Sequence, residues 1–224
     1  MKNLTLIIPA RKEKECLPQV IDEIKNLHCQ KKVILTSDDI ETINAIKKLN
    51  VDIIYQNGHG YGDALITGIN NVNTDYFCIF NADGSFKPSE LPGMLELLEN
   101  SNSDFVFGSR YQKNSGSDDD TIVTFVGNKI FTLLGKIFFG LPITDILYTF
   151  VMGKTDKAKQ LNLSEINFNF CVELPIKAKK LNMKMKSSSS YERKRISGVK
   201  KVSEFKDGLS ILIYMIKSFF LNKK

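Results

Sequence analysis

The sequence predicts an α/β chain built on a mostly parallel sheet flanked by helices, with a C-terminal helical extension. Three observations predict it. Short apolar runs alternate with helix-like segments over the first half of the chain, the pattern that βαβ units leave in a sequence. At 224 residues the chain is long enough to bury a large core. Beyond residue 110 the alternation stops, and a polar loop and a long apolar segment follow.

Residues 4–8, Leu-Thr-Leu-Ile-Ile, read as a buried strand that Pro9 ends. Residues 17–27 set Val20, Ile21, Ile24 and Leu27 at helical spacing. A strand at 33–35 and a helix at 39–49 follow, with Asp38 or Asp39 as N-cap. The alternation continues through strand 51–55, helix 62–72, strand 75–80, helix 88–98 and strand 104–108. In such sheets ligands bind at the carboxyl ends of the strands. Residues 112–120, with Asn114, Ser115, Gly116, Ser117 and three aspartates, read as a flexible loop. A long apolar helix at 121–139, a strand at 146–152, a helix at 170–181, a serine-rich strand at 183–191, a basic loop at 192–201 and a helix at 202–221 complete the chain. No internal repeat or clean linker divides it. The expected organisation is one domain over 1–201 and an amphipathic helix over 202–224.

The net charge of +6 favours anionic partners: nucleotides, phosphates or an acidic membrane face. Nucleic acid is not expected, because the basic residues are dispersed until the last quarter and no nucleic-acid motif is present. Cys16, Cys29, Cys78 and Cys171 form no CxxC pair, which argues against a disulfide framework or zinc site and for a reducing compartment. The N-terminus runs almost directly into a strand, so no signal peptide is expected, and no run approaches the ~20 apolar residues of a membrane span. The expected location is cytoplasmic.

The most informative stretch is Asn81-Ala82-Asp83-Gly84, directly after the fourth strand. Side chains at 81 and 83 can converge on a hard cation such as Mg²⁺ or Mn²⁺. The same residue types also make an ordinary Asx turn. Gly58-His59-Gly60-Tyr61-Gly62 precedes a helix, where glycines let the backbone approach a ligand and the helix N-terminus favours phosphate. His59 is either a solvated loop residue or a donor contact, and His28 is expected on the surface.

Together these segments resemble family 2 glycosyltransferases of the dolichyl-phosphate mannose synthase-like, polyprenyl-phosphate branch. Leu6-Ile7-Ile8-Pro9-Ala10-Arg11-Lys12-Glu13 is similar to their opening motif, and 60–69 to their GYGxALxTGI segment. Asn81-Ala82-Asp83-Gly84-Ser85 with Pro88 resembles DADGSxxP, Gly108-Ser109-Arg110-Tyr111 matches GSRY, and Gly127-Asn128 with Thr144-Asp145 resembles a GN...SD region. Tyr191 and the stretch from Arg195 to Lys201 resemble a final RxxGxSK motif. The matches, in order, span roughly residues 4 to 215.

The resemblance implies a GT-A fold with a Rossmann-like sheet, a UDP- or GDP-sugar donor, Mg²⁺ or Mn²⁺, and a polyprenyl phosphate acceptor. It places Pro9, Ala10, Glu13 and Asp38 at the nucleotide, Gly60 and Gly62 beside the donor, and Asn81, Ala82 and Asp83 at the metal and diphosphate. Arg110 would face the acceptor phosphate, with Arg195 and Lys201 closing over the reacting phosphates. Asp145 falls at a matched position without a role. A lipid phosphate needs no strong base. A saccharide hydroxyl acceptor, the alternative, would need one, and Asp145 and Glu173 are the closest unassigned carboxylates.

The resemblance departs at four places. Asn81 stands for the leading aspartate, which removes one negative charge from the metal site. Thr36-Ser37-Asp38-Asp39 replaces an acidic pair, no arginine opens the helix at Gly127-Asn128, and Lys200 stands for a serine. A non-catalytic nucleotide-binding homologue is the reading these departures leave open. The apolar segment from Leu209 to Leu221, flanked by lysines, is expected to pack on the sheet, to lie peripherally on the cytoplasmic face of a membrane, or both.

Overall fold

The computed structural model describes residues 1–198 and 203–221. Strands β1 (Leu4–Pro9), β2 (Gln30–Leu35), β3 (Asp52–Tyr55), β4 (Tyr76–Ile79), β5 (Phe105–Ser109), β7 (Val151–Lys154) and β8 (Met185–Ser189) form one sheet in the order β3-β2-β1-β4-β7-β5-β8. β7 runs antiparallel to β4 and β5, and the other neighbours pair in parallel. β6 (Gly116–Ser117) and β9 (Tyr191–Glu192) make a separate two-stranded pair. The helices are α1 (Leu17–Glu23), α2 (Ile40–Ile46), α3 (Tyr61–Asn70), α4 (Leu91–Asn100), α5 (Ile122–Phe139), α6 (Thr155–Gln160), α7 (Phe170–Lys180) and α8 (Glu204–Leu221).

The central strands are buried on both faces, and the two-residue period of a strand sorts their side chains into two cores. Leu4, Leu6 and Ile8 of β1 join one core with Leu17, Val20 and Leu91 of the helices. Ile7, Phe77 and Ile79 face the other, with Leu65, Val172, Ile211 and Met215. The last two belong to α8, so that helix packs on the sheet with one face.

Five expectations change. The strand expected at 146–152 is only Val151–Lys154, because residues 147–149 are drawn into the cleft described below. α6 was not legible in the sequence. The expected loop at 112–120 contains β6, which pairs with β9. Asp39 rather than Asp38 caps α2, its side chain accepting from Thr42 N–H, and its other oxygen accepts Lys12 N–H at 2.6 Å. Finally, α5 is by length and composition apolar enough to cross a membrane, with a mean hydropathy of 1.5 over 18 residues, although no such run was expected.

α5 carries much of its apolar surface outward. Its buried residues are Asn128, Thr132 and Gly135, beside half-buried Phe131, Leu134 and Phe139 that pack on the core. Ile122, Val126, Ile130, Leu133 and Ile137 are exposed. α8 lies against it, with Phe219 edge-on to Phe138 at 5.1 Å between ring centroids.

Candidate active site

The carboxyl ends of the strands open into a cleft of about 550 Å³. Pro9 and Ala10 follow β1, Thr36 follows β2, Asn81, Ala82 and Asp83 follow β4, and Arg110 follows β5; all line it. Thr124 and Asn128 of α5 and Lys206 and Ile211 of α8 form the opposite wall. A second hollow, around Asn73, Thr74 and Lys154, contains none of the motif residues.

Asp83 does make an Asx turn: its Oδ1 accepts Ser85 N–H at 3.0 Å and the Ser85 hydroxyl at 2.7 Å. Its Oδ2 lies 3.4 Å from Arg195 Nη2. Asn81 Oδ1 accepts a long bond from the Tyr61 hydroxyl at 3.4 Å. Gly84 is required here, since it has φ +81° and a Cβ would lie 2.5 Å from Ile196 Cδ1. Residues 193–196 strap this turn: Arg193 N–H donates to Ser85 O at 2.8 Å and Ile196 N–H to Asp83 O at 2.9 Å. Arg193 is anchored in turn on Glu23 by two bonds, at 3.1 and 2.8 Å.

Among the described residues no cluster of three acidic, histidine or cysteine side chains could hold a metal ion. At the Asn81–Asp83 turn the chain offers Asp83 Oδ2, whose contact with Arg195 is long at 3.4 Å, and the Asn81 amide oxygen, which accepts a long bond at 3.4 Å, both on the cleft wall. That donor set suits Mg²⁺ or Mn²⁺, which bind through one or two protein oxygens and complete their shell with water and substrate phosphates.

Arg110 is caged. Asp145, fully buried, accepts from its Nε at 2.8 Å, its Nη2 at 3.1 Å and its backbone N–H at 3.1 Å. Nη1 donates to Glu192 at 3.1 Å, and the guanidinium stands 4.6 Å from the centre of the Tyr148 ring. Burial opposes the arginine's charge, yet Asp145 and Glu192 outweigh it and hold the pKa well above its ordinary value. Glu192 shifts upward, mainly through burial, with Arg110 opposing. Asn128 holds Asp145 from the other side at 2.5 Å. Asp145 thus gains the role the motif left blank. Glu192 was missed, because it reaches the cleft through the β6–β9 pairing and has no short-range signature.

The two carboxylates considered as bases are both sealed. Asp145 serves Arg110 and Asn128. Glu173 is fully buried and accepts Ser164 N–H, the Ser164 hydroxyl and Glu165 N–H, with Lys177 at 2.7 Å.

Other expected site residues divide. Glu13 is buried, lines the cleft and donates its N–H to the Thr42 hydroxyl at 3.0 Å. Asp38 is exposed and outside the cleft lining, its pKa lowered by the Thr36 hydroxyl; Thr36 lines the cleft in its place. Gly60 reaches the cleft, but Gly62 does not. The glycines serve a different close approach: a Cβ at 62 would lie 2.0 Å from Glu165 O, and one at 60, 2.3 Å from Ile166 O. Ile166 O accepts Asp63 N–H at 3.0 Å, so the chain's own loop covers the first turn of α3 where a phosphate was expected. Arg195 lines the cleft, His59 and His28 are exposed, and Lys201 lies outside the described residues.

The seven-stranded, mostly parallel sheet flanked by helices, with its cleft at the carboxyl ends of the strands, is an α/β fold of the GT-A kind. The model of glycosyl transferase family 2 matches residues 5–161, and the chain belongs to that family. It is 23% identical over 222 residues to a low-salt glycan biosynthesis hexosyltransferase of Haloferax volcanii, covering 95% of this chain and 53% of the relative. It is 25% identical over 189 residues to the dolichol-phosphate mannosyltransferase of Pyrococcus furiosus, covering 79% and 53%. The undecaprenyl-phosphate mannosyltransferase of Micrococcus luteus is 24% identical over 203 residues, covering 83% and 81%. The chain spans about half the length of the first two. Among solved structures, glucosyl-3-phosphoglycerate synthase of Mycobacterium tuberculosis with UDP superposes with a TM-score of 0.74 at 14% identity, covering 96% of this chain and 79% of that one. That likeness establishes the fold.

Proposed function

We propose that the chain is an inverting transferase that moves a sugar from a UDP- or GDP-sugar to a polyprenyl phosphate at a membrane surface. The observation that carries this is the double-sided wall of the cleft. α5 and α8 turn Thr124, Asn128, Lys206 and Ile211 toward the cleft and leave apolar side chains bare on their outer faces. An acceptor with its phosphate in the cleft and its hydrocarbon over that outer face never leaves lipid. Lys129, Lys136 and Lys217 on the same helices suit an anionic interface. The named activities of the Pyrococcus and Micrococcus relatives, on dolichol and undecaprenyl phosphates, support the acceptor class.

In this reading residues 1–201 form the transferase domain and 202–224 its membrane-binding extension, whose helix α8 closes the acceptor side and binds peripherally on the cytoplasmic face. Pro9, Ala10, Glu13 and Thr36 border the nucleotide. Asp83 and Asn81 would hold Mg²⁺ or Mn²⁺, which supplies neutralising charge for the leaving nucleoside diphosphate. Complexes of the mycobacterial synthase with UDP and Mn²⁺ or Mg²⁺ support that choice. Arg195 faces the leaving phosphates, the role that the resemblance also implies for Lys201, and Arg110 shapes the acceptor end. A lipid phosphate is already anionic near neutral pH, so the attacking oxygen needs no general base. The sealed state of Asp145 and Glu173 agrees with that and disfavours a saccharide hydroxyl acceptor.

The test uses purified protein with vesicles containing polyprenyl phosphate, a panel of UDP- and GDP-sugars, and Mn²⁺. Nucleoside diphosphate release should require donor and lipid phosphate together. It should fall about a hundredfold in Asp83→Ala, the scale of losing one electrostatic stabiliser. Turnover on soluble sugars without lipid would instead identify a saccharide acceptor. No turnover with any donor would identify a non-catalytic nucleotide-binding protein.

A further inference from the structure

The two cleft arginines are held in different ways. Arg110 has fixed partners: Asp145 grips it with two side-chain bonds, and Glu192 with one. The third carboxylate near it, Asp120, lies 3.8 Å from Nη1 and is itself tied down by the hydroxyls of Tyr111, at 2.8 Å, and Thr124. Among the described residues the acids reach Arg195 only loosely, at 3.4 Å for Asp83 and 3.6 Å for Asp119, both too long for strong hydrogen bonds. Its buried Nε has no hydrogen-bond partner among the described residues.

Asp119 is delivered to Arg195 by ordered structure. Gly116 pairs with Tyr191, and a Cβ there would lie 2.9 Å from the tyrosine ring. The Ser117 hydroxyl accepts the N–H groups of Asp119, at 3.1 Å, and Asp120, at 2.9 Å, and donates to Glu192 at 2.5 Å. This turn sets Asp119 on the cleft wall opposite Asp83. Five carboxylates (Asp83, Asp119, Asp120, Asp145 and Glu192) thereby surround two guanidinium groups. Asp83 and Asp119 are the two with long contacts to Arg195, and of these Asp119 is the one outside the Asn81–Gly84 turn.

We propose that Asp119 is an internal stand-in for the donor's diphosphate, occupying Arg195 in the ligand-free cleft and giving it up when phosphate oxygens arrive. The inference rests on the nucleotide-sugar reading above and adds a residue that opposes donor binding. A diphosphate beside Arg195 brings more charge and more acceptor oxygens than one carboxylate at 3.6 Å, so the exchange favours the ligand. A cation drawn to Asp83 weakens the other contact of Arg195 in the same step. Asp119 therefore lowers donor affinity and keeps the arginine from capturing stray anions.

Calorimetry on the full chain with Mn²⁺, using UDP, GDP and inorganic pyrophosphate as probes, tests this. Asp119→Asn should bind pyrophosphate, and whichever nucleotide the wild type accepts, about two- to fivefold more tightly, as expected for removing a partly exposed competing charge. In an Arg195→Gln background the same change should have no effect. Asp119→Ser repeats the charge removal with a smaller side chain. Equal tightening in both backgrounds, or no tightening, overturns the proposal. Tightened pyrophosphate binding with neither nucleotide bound upholds the exchange and rejects the nucleotide-sugar donor. No binding of any probe to wild type or variant overturns both.

Discussion

Replacing Asp145 with alanine tests the cage around Arg110. The carboxylate is fully buried and accepts four bonds, three from Arg110 and one from Asn128. Its removal leaves a guanidinium whose side chain is only 10% exposed, with Glu192 at 3.1 Å as the nearest remaining counter-charge. Stripping one partner from a buried ion pair costs about 3–5 kcal/mol, and the surviving Glu192 contact sets the expectation near the lower figure. For a chain of this size about 3 kcal/mol corresponds to a fall in Tm of roughly 6–12 °C. The double variant Asp145→Ala with Arg110→Met removes the stranded charge and should recover part of the loss. Urea denaturation followed by circular dichroism gives all three free energies. A single-variant cost under about 1 kcal/mol, or a double variant as costly as both singles summed, would refute the account.

Four further outcomes are expected. Gly62→Ala should lose about 2–3 kcal/mol in urea denaturation, because its Cβ meets Glu165 O at 2.0 Å, whereas Gly127→Ala, with nothing within 4 Å, should gain up to about 1 kcal/mol of helix propensity. Burial raises the Glu192 pKa above its ordinary 4.5, so the folded state binds that proton more readily than the unfolded chain and loses stability as pH rises from 4.5. Glu192→Gln should therefore gain on the wild type in thermal melts as pH rises toward neutral, and drift the other way would reject burial as the dominant cause. Ile130→Ser combined with Leu133→Ser should change folding stability by no more than about 0.5 kcal/mol while reducing co-sedimentation with anionic vesicles severalfold; unchanged sedimentation would remove α5 from the membrane face. Asn81→Asp should tighten Mn²⁺-dependent binding of nucleoside diphosphate in calorimetry, and no change would place Asn81 outside the cation's ligands.

The parallel half of the fold was legible because burial on both faces writes uninterrupted apolar runs. β1 and β4 need nothing but their own residues to be recognised. The Asn81–Gly84 turn was legible for a similar reason, since its chemistry is local. What could not be read depends on distant partners. Residues 146–150 carry enough Leu, Tyr and Phe to imitate a strand, but Tyr148 packs beneath Arg110 and Thr149 bonds Tyr61 at 2.7 Å. The glycines at 60 and 62 suggested a backbone close to a ligand, and the close approach they serve is to another segment of the protein. Their sequence could not say that the approaching backbone is residues 165–167 of the same chain. Asp38 and Asp39 could not be separated by pattern either, because the choice rests on Lys12 offering its N–H to the second of them.

The outward apolar surface of α5 links these pieces. A helix packed on a water-soluble core normally buries its apolar stripe. Here the inward face mixes half-buried Phe131, Leu134 and Phe139 with the buried polar Asn128 and Thr132, and these two are tolerable because each has a partner: Asn128 donates to Asp145, and the Thr132 hydroxyl donates to Asn128 and accepts Ile146 N–H. The polar pair therefore serves to fix Arg110 at the cleft. The apolar side is left to whatever lies outside. Thirteen large apolar side chains described on the two helices are exposed by 43–84%, among them these ten: Ile122, Val126, Ile130, Leu133 and Ile137 on α5, with Phe205, Leu209, Ile213, Ile216 and Phe220 on α8. At about 1 kcal/mol for covering each remaining half, the transfer of these ten into lipid is worth at most about 10 kcal/mol. One myristoyl chain, by comparison, gives only marginal and reversible attachment. In the proposed docking, the residues that set Arg110 and those that hold the protein on the bilayer are opposite faces of one helix, so an acceptor phosphate is met at the depth where its own membrane leaves it.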